Sequence, residues 1–190
     1  MNATYLIVPG YTNSGKGHWQ SYMERKYSNV IRVQQDDWNN PSRYEWVEKI
    51  DKAVNDIEGN IVLLGHSCGA VAITQWAAFN ACEKIKALIL VAPADVDSEI
   101  AITPIKNQRP LPLCSLNTKS LLIFSNNDEY LSESRAIYLA KLWGCTTHFI
   151  HNAGHIHTNA GFGEWIEGET LFEEFTGFLL LDSRKGTEDV

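Results

Sequence analysis

Residues 65–69 read Gly65-His66-Ser67-Cys68-Gly69, straight after the apolar run Ile61-Val62-Leu63-Leu64 and straight before the helix-prone run Ala70 to Ala77. This junction constrains the fold more than any other stretch of the chain. The backbone must leave a buried strand, turn sharply and enter a helix within a few residues, and the two glycines allow it to do so. Such a turn projects Ser67 from the sheet edge at a helix N-terminus, where negative charge is favoured. The bare G-x-S-x-G pentapeptide is weak, because it also occurs by chance in loops. A buried strand before it and the small Ala70 after it, which lets the helix pack close to the sheet, make it a candidate nucleophile elbow. The plainer reading is a strand-to-helix turn that merely needs small residues.

Short β-branched runs alternate with longer helical patterns along the whole chain. Strands are expected at Thr4 to Val8, Val30 to Gln34, Ile61 to Leu64, Lys86 to Ala92, Ser120 to Phe124 and Cys145 to Ile150. Helices are expected at His18 to Tyr27, Ser42 to Ile57, after the elbow, at Ser132 to Trp143 and at Gly168 to Leu180. The second helix sets Trp46, Ile50, Val54 and Ile57 on one face behind the capping residue Ser42. Continuous apolar strands alternating with helices predict an α/β fold: a mostly parallel central sheet covered by helices on both faces. Ligands in such sheets bind at the carboxyl ends of the strands. The segment from Pro93 to Thr118 holds four of the six prolines and little periodicity, so it is expected to be a surface excursion beside the site or a small cap.

The 190 residues suit one domain over 1–181, with a polar tail at 182–190 expected to fray. A net charge of −7 with scattered Lys and Arg argues against nucleic acid or an anionic membrane as partner. The N-terminal Leu6-Ile7-Val8 is too short and too unflanked by basic residues for a secretory signal, and no apolar run reaches membrane-spanning length. Cys68, Cys82, Cys114 and Cys145 form no C-x-x-C pair, so no metal site is expected and reduced thiols in the cytoplasm are the simplest account. The Cys68 thiol is expected to pack rather than react.

A serine hydroxyl is a poor nucleophile until a base takes its proton, and the base needs a partner to hold its tautomer. With an elbow of this kind the chain order is Ser, then Asp or Glu, then His. Asp128 follows a strand in Ser125-Asn126-Asn127-Asp128 and is the candidate acid; a helix cap is its plainer role, and Asp95 and Asp97 are its competitors. Glu129, adjacent, is expected to point elsewhere. His155 lies in the loop Asn152-Ala153-Gly154-His155 after the last strand, but position alone does not rank it against His148, His151 and His157. Of these, His148 is expected to pack and His151 and His157 to lie on the loop surface. His66 is expected to pack inside the elbow, and His18 to brace the first loop. The oxyanion hole is expected from the Cys68 N–H and, after the first strand, the Tyr11 N–H.

These residues resemble the small serine hydrolases of the α/β-hydrolase superfamily, the family that includes retinoblastoma-binding protein 9, and are nearest to its bacterial branch. The resemblance rests on Val8-Pro9-Gly10, Gly17-His18-Trp19-Gln20, Gln35-Asp36-Asp37-Trp38 through Pro41, Trp46-Val47, and Ser125 to Asp128 with Arg135-Ala136 and Leu139-Ala140. It continues in Gly154-His155-Ile156, Gly161-Phe162-Gly163 and Trp165. It implies an α/β-hydrolase fold with a minimal lid or none, and Ser67, Asp128 and His155 as nucleophile, acid and base. Two positions depart from the pattern: His157 stands where asparagine is expected, and Ile166 follows Trp165 where proline is usual. The L-x-C-x-E motif is absent around Cys114, so no retinoblastoma-type partner is expected.

The function expected is cofactor-free hydrolysis of a small ester, thioester or activated amide through an acyl-enzyme. The alternative is a non-catalytic binding or regulatory module that keeps the scaffold. Trp19, Trp38, Phe162 and Trp165, with Tyr11, are candidates to line the substrate pocket, although large aromatics usually serve the core. The shortness of the Pro93 to Thr118 excursion favours short acyl chains.

Overall fold

A computed structural model describes residues 2–183. Its centre is a sheet of β1 (Ala3–Val8), β2 (Val30–Arg32), β3 (Asn60–His66), β4 (Ile85–Val91), β5 (Ser120–Ser125) and β6 (Thr146–Ile150). The order is β2-β1-β3-β4-β5-β6 and every pairing is parallel. The helices are α1 (Trp19–Lys26), α2 (Arg43–Asp56), α3 (Cys68–Ala77), α4 (Glu133–Trp143) and α5 (Ile166–Thr176). None among the described residues is long and apolar enough to cross a membrane.

Strand residues alternate between two cores, because successive side chains leave opposite faces of a sheet. Leu6, Leu63, Leu88 and Leu122 pack with Trp46 and Ile50 of α2, Val71 of α3 and Trp143 of α4. Tyr5, Val62, Ile89 and Ile123 face the other way, toward Trp19 and Met23 of α1 and Phe172 of α5. Across the inner strands β1, β3, β4 and β5 both faces are almost wholly buried, which is why these strands read as apolar runs.

The chain starts one strand in from an edge of the sheet, moves out to the β2 edge and returns on the far side of β1 to form β3. Its winding direction therefore reverses between β1 and β3, and the crevice beyond their carboxyl ends is the natural ligand site of an open α/β sheet. The loop after β1 and the elbow after β3 meet there.

Several boundaries differ from expectation. β3 runs on through Gly65 and His66, which pair with Leu90 and Val91, so the sheet carries the chain to the serine itself. β2 is short, although the Val33 N–H still reaches the Ile7 carbonyl at 2.9 Å. α5 starts at Ile166 and stops at Thr176, because Gly177 takes φ 76° and closes the helix with its N–H on the Glu173 carbonyl. The apolar run Phe178 to Leu181 prolongs the helical pattern in sequence only. It crosses instead to the loop before β2, where Asn29 donates to the Leu179 carbonyl and accepts the Leu181 N–H, and Asp182 bridges to Tyr27. Asp182, the first residue of the tail expected to fray, is held by this bridge, and 184–190 lie outside the described residues.

The excursion between β4 and β5 contains one 3-10 turn, Thr103–Gln108, sewn to α3. The Gln75 side chain donates to the carbonyls of Gln108 and Pro110, and the Gln108 side chain donates to the Cys68 carbonyl at 3.0 Å. Buried side-chain bonds of this kind make it a fixed wall, consistent with a minimal lid.

Candidate active site

Ser67 sits at φ 55°, ψ −124° between the end of β3 and the start of α3. This backbone is strained for a residue other than glycine and is held by its surroundings: Ser67 N–H donates to Val91 at 3.0 Å, and its carbonyl accepts from Val71 at 3.1 Å. The serine side chain makes no capping bond to α3, so its hydroxyl is not spent on the helix. The neighbouring glycines are steric necessities. A Cβ on Gly69 would lie 1.9 Å from the Val8 carbonyl oxygen, one on Gly65 2.6 Å from the Ala70 backbone, and one on Gly10 2.8 Å from the Ser67 Cβ.

The acid and base come from two loops clasped together along their length. Asn126 Oδ1 accepts from Asn152 N–H, Ser125 Oγ from Ala153 N–H, and Asn127 Oδ1 from Gly154 N–H, all at 2.7–2.8 Å. The next residue of each loop completes the series: both carboxylate oxygens of Asp128 lie 2.9 Å from His155 Nδ1. A carboxylate only accepts, so Nδ1 carries the proton and Nε2 keeps its lone pair. The Asp128 side chain is fully buried and Oδ1 also accepts the Tyr130 N–H at 2.8 Å. It does not cap α4; Ser132 does. Asp95 and Asp97 are engaged elsewhere, Asp95 on Arg135 Nε at 3.1 Å and Asp97 on the Leu111 N–H. Glu129 is exposed.

The other histidines divide differently from expectation. His66 donates Nε2–H to the carbonyl of His155 at 2.8 Å and so ties the base loop to the elbow. His18 caps α1, its Nδ1 accepting the Gln20 N–H at 3.2 Å. Burial, then the neighbouring charges of His157, Arg32 and His155, hold the His18 ring down to about 3. Burial also holds His66 well below the ordinary histidine value. Both are neutral at physiological pH. His157, expected on the surface, sets its ring edge-on to His155 at 5.7 Å. His148, expected to pack, is exposed on β6, and His151 is exposed as expected.

Ser67 and His155 line one cavity of about 270 Å³. Its lining includes the apolar Ile102 and Ile105, Tyr130, and the polar His18, His157 and Asn159. Tyr11 borders it, and the Tyr11 amide and Ser67 side chain adjoin the Cys68 thiol. That thiol is fully buried, and burial pushes it up to about 12, which keeps it protonated.

The aromatic pocket candidates are corrected. Trp19 is 1% exposed and its indole N–H donates to the Ile156 carbonyl beneath the base loop. Trp38 packs edge-on against Trp46 and offers its carbonyl to Thr12. Phe162 and Trp165 pack edge-on at 5.2 Å beside a separate depression near His148 and Leu171. Their large apolar area is worth more in the core than at a cavity rim. Tyr130, Ile102 and Ile105 take that place instead. Tyr130 was within reach of sequence reasoning, lying two residues past Asp128; the isoleucines carried no local signal.

A serine elbow after β3 of a parallel 2-1-3-4-5-6 sheet, sharing a cavity with a carboxylate-held histidine, matches the α/β-hydrolase fold. A family model described as "Serine hydrolase" matches residues 5–174, and the chain belongs to that family. The structure is similar to a YdeN-like hydrolase from Pectobacterium atrosepticum, with 31% identity, coverage of 94% of this chain and 93% of that one, and a TM-score of 0.83. It is similar also to the ydeN gene product of Bacillus subtilis, at 16% identity, 93% and 100% coverage and a TM-score of 0.74. The carboxylesterase CesB of Bacillus subtilis shares the fold, at 13% identity, 94% and 85% coverage and a TM-score of 0.65. No curated protein sequence matches the chain significantly. The protein is a hydrolase.

Proposed function

We propose that the protein hydrolyses a small carboxylic ester, thioester or activated amide through an acyl-enzyme on Ser67, with His155 as base and Asp128 as its partner. The observation that carries this reading is the clamp of Asp128 on His155 Nδ1, which leaves Nε2 unprotonated in the cavity that Ser67 lines. As Ser67 Oγ bonds to the acyl carbon, its proton passes to His155 Nε2 and the carbonyl π electrons move to oxygen. Asp128 holds the resulting imidazolium. The Tyr11 and Cys68 N–H groups receive the oxyanion, and the N-terminus of α3 adds its positive end. Collapse breaks the bond to the leaving group, which takes the proton from Nε2. Water then gives Nε2 a proton as it attacks the acyl carbon, and the acid departs as Ser67 regains its own.

A cavity of about 270 Å³ is at the small end for a ligand site, which favours a short acyl chain. Four free cysteines fit a reducing compartment such as the cytoplasm. A small acyl compound, rather than nucleic acid, membrane or a retinoblastoma-type protein, is the partner proposed.

Hydrolysis of p-nitrophenyl esters from acetate to octanoate tests the reading. Wild type is expected to turn them over with an optimum at short chains, and Ser67→Ala to fall to background. A fluorophosphonate should label wild type and spare Ser67→Ala. Equal rates and equal labelling in both would leave a binding module and overturn the proposal.

A further inference from the structure

The cavity that holds Ser67 and His155 adjoins a second depression, of about 440 Å³, and Ile102, Ile105 and Tyr130 line both. Apolar surface is exposed where the two meet. Ile102 is 40% exposed, and Ile100, which lines the second depression alone, is 87% exposed. The segment that carries them is fixed at both ends. Arg109 donates to the Val96 and Ser98 carbonyls at 2.6 and 2.7 Å, and Lys106 donates to the Glu99 carbonyl at 3.0 Å. Tyr130 is fixed as well, its N–H on Asp128 Oδ1 and its carbonyl accepting the Asp95 N–H. Its ring packs against that of His155, with centroids 4.6 Å apart. Tyr130, Ile102 and Ile100 thus make an apolar ledge that begins in contact with the base and ends outside the catalytic cavity. Asp95, Asp128 and Glu129 also line the second depression, and no Lys or Arg does.

We propose that this ledge binds the leaving group, so that the substrate is the ester of a short acid with a larger, apolar and uncharged alcohol or phenol. This rests on the ester-hydrolase reading above. The direction comes from the proton. The leaving oxygen takes it from His155 Nε2 as the tetrahedral intermediate collapses, so the alcohol portion starts within hydrogen-bond reach of that ring. Tyr130 packs against the same ring and borders both hollows, which sets the ledge in line for the rest of the alcohol. The short acyl group stays in the cavity of about 270 Å³. An alkyl or aryl group on the ledge gains about fourfold in binding for each methylene it buries. A carboxylate on the alcohol is disfavoured, because the lining offers it other carboxylates and no cation.

The test varies the alcohol and the acyl group separately. Wild type should show a higher kcat/KM for hexyl acetate than for ethyl acetate, and a higher one than for the isomeric ethyl hexanoate. 6-Acetoxyhexanoate, which ends the same alcohol chain in a carboxylate, should be turned over more slowly than hexyl acetate. Dividing the hexyl-to-ethyl acetate ratio in a variant by the same ratio in wild type cancels intrinsic reactivity and any change at the shared acetyl group. Replacing Ile100 and Ile102 together by serine, at two exposed positions, should lower that ratio by roughly 4- to 15-fold, the worth of one or two buried methylenes. Phe79→Ser, at an exposed apolar position that lines neither hollow, should leave it unchanged. A ratio unaltered in the double variant, or a preference of wild type for ethyl hexanoate, would overturn the proposal. Ser67→Ala separates the two levels. If neither acetate shows serine-dependent turnover, the ester-hydrolase reading fails and the ledge with it. If serine dependence holds and the ratio stays flat, only the role of the ledge fails.

Discussion

Replacing Asp128 by asparagine keeps the shape of the side chain and changes only what its two terminal atoms can do. Oδ1 accepts the Tyr130 N–H at 2.8 Å, and both oxygens lie 2.9 Å from His155 Nδ1. In the variant the amide oxygen stays on Tyr130, because a flipped amide would set its NH2 against a backbone N–H. The NH2 then faces His155 Nδ1, which must become the acceptor, so the ring proton moves to Nε2. His155 would present an N–H to Ser67 in place of a lone pair. Two contributions are lost: a hydrogen bond to a charged acceptor, about 1.5–3 kcal/mol, and general-base assistance, about 10²- to 10⁴-fold. Together they predict a fall in kcat/KM of about 10³- to 10⁶-fold, or about 4–8.5 kcal/mol. The assay is steady-state hydrolysis of p-nitrophenyl butanoate at neutral pH, with thermal melting to show that Asp128→Asn remains folded. A folded variant within tenfold of wild type would refute the reasoning.

Acid should destabilise the protein well before its carboxylates titrate. Above pH of about 6.5 native and unfolded chains both hold neutral histidines; below it the unfolded chain binds protons that His18, held down to about 3, and His66 refuse. Stability therefore falls with falling pH by about 1.4 kcal/mol per unit for each of them, so urea melts at pH 7.5 and 5.5 should differ by about 2–3 kcal/mol. Equal values would sink this, and His18→Asn should flatten the slope. Gly69→Ala should lose several kcal/mol, since its Cβ would meet the Val8 carbonyl at 1.9 Å, whereas Gly163→Ala, with nothing nearer than 3.6 Å, should cost about 1 kcal/mol or less. Thermal melts of the two variants decide it, and similar losses would contradict the packing at the elbow. A disulfide reagent on the native protein should reach exposed Cys114 first and buried Cys68 only on unfolding, and early modification of Cys68 would contradict its thiol's value of about 12.

Much of the architecture was legible because its signals are local. Apolar runs such as Leu121 to Phe124 name buried parallel strands without reference to their neighbours, and all six expected strands are present in the sheet. The end of α5 was not legible in the same way. Phe178 to Leu181 continue an apolar pattern, and only the left-handed Gly177 and the pairing of Asn29 with that segment turn it into extended chain. The aromatic pocket candidates failed for a related reason. Loop position placed Trp19 and Trp165 near the active-site loops, but the rings join the core on one face of the sheet and do not line the cavity.

The histidines mark the division most clearly. Chain order and strand ends confined the base to the segment 148–157, and resemblance selected His155. The geometry that distinguishes it is the clasp of 125–128 on 152–155, a contact between loops 27 residues apart. By itself the sequence determined the parallel sheet, the elbow and the reach of the acid and base, since periodicity and turn chemistry act over a few residues. Only the tertiary structure decided which histidine meets the carboxylate and which residues wall the cavity. Those depend on where distant segments come to rest in a close-packed interior, and no local pattern records that.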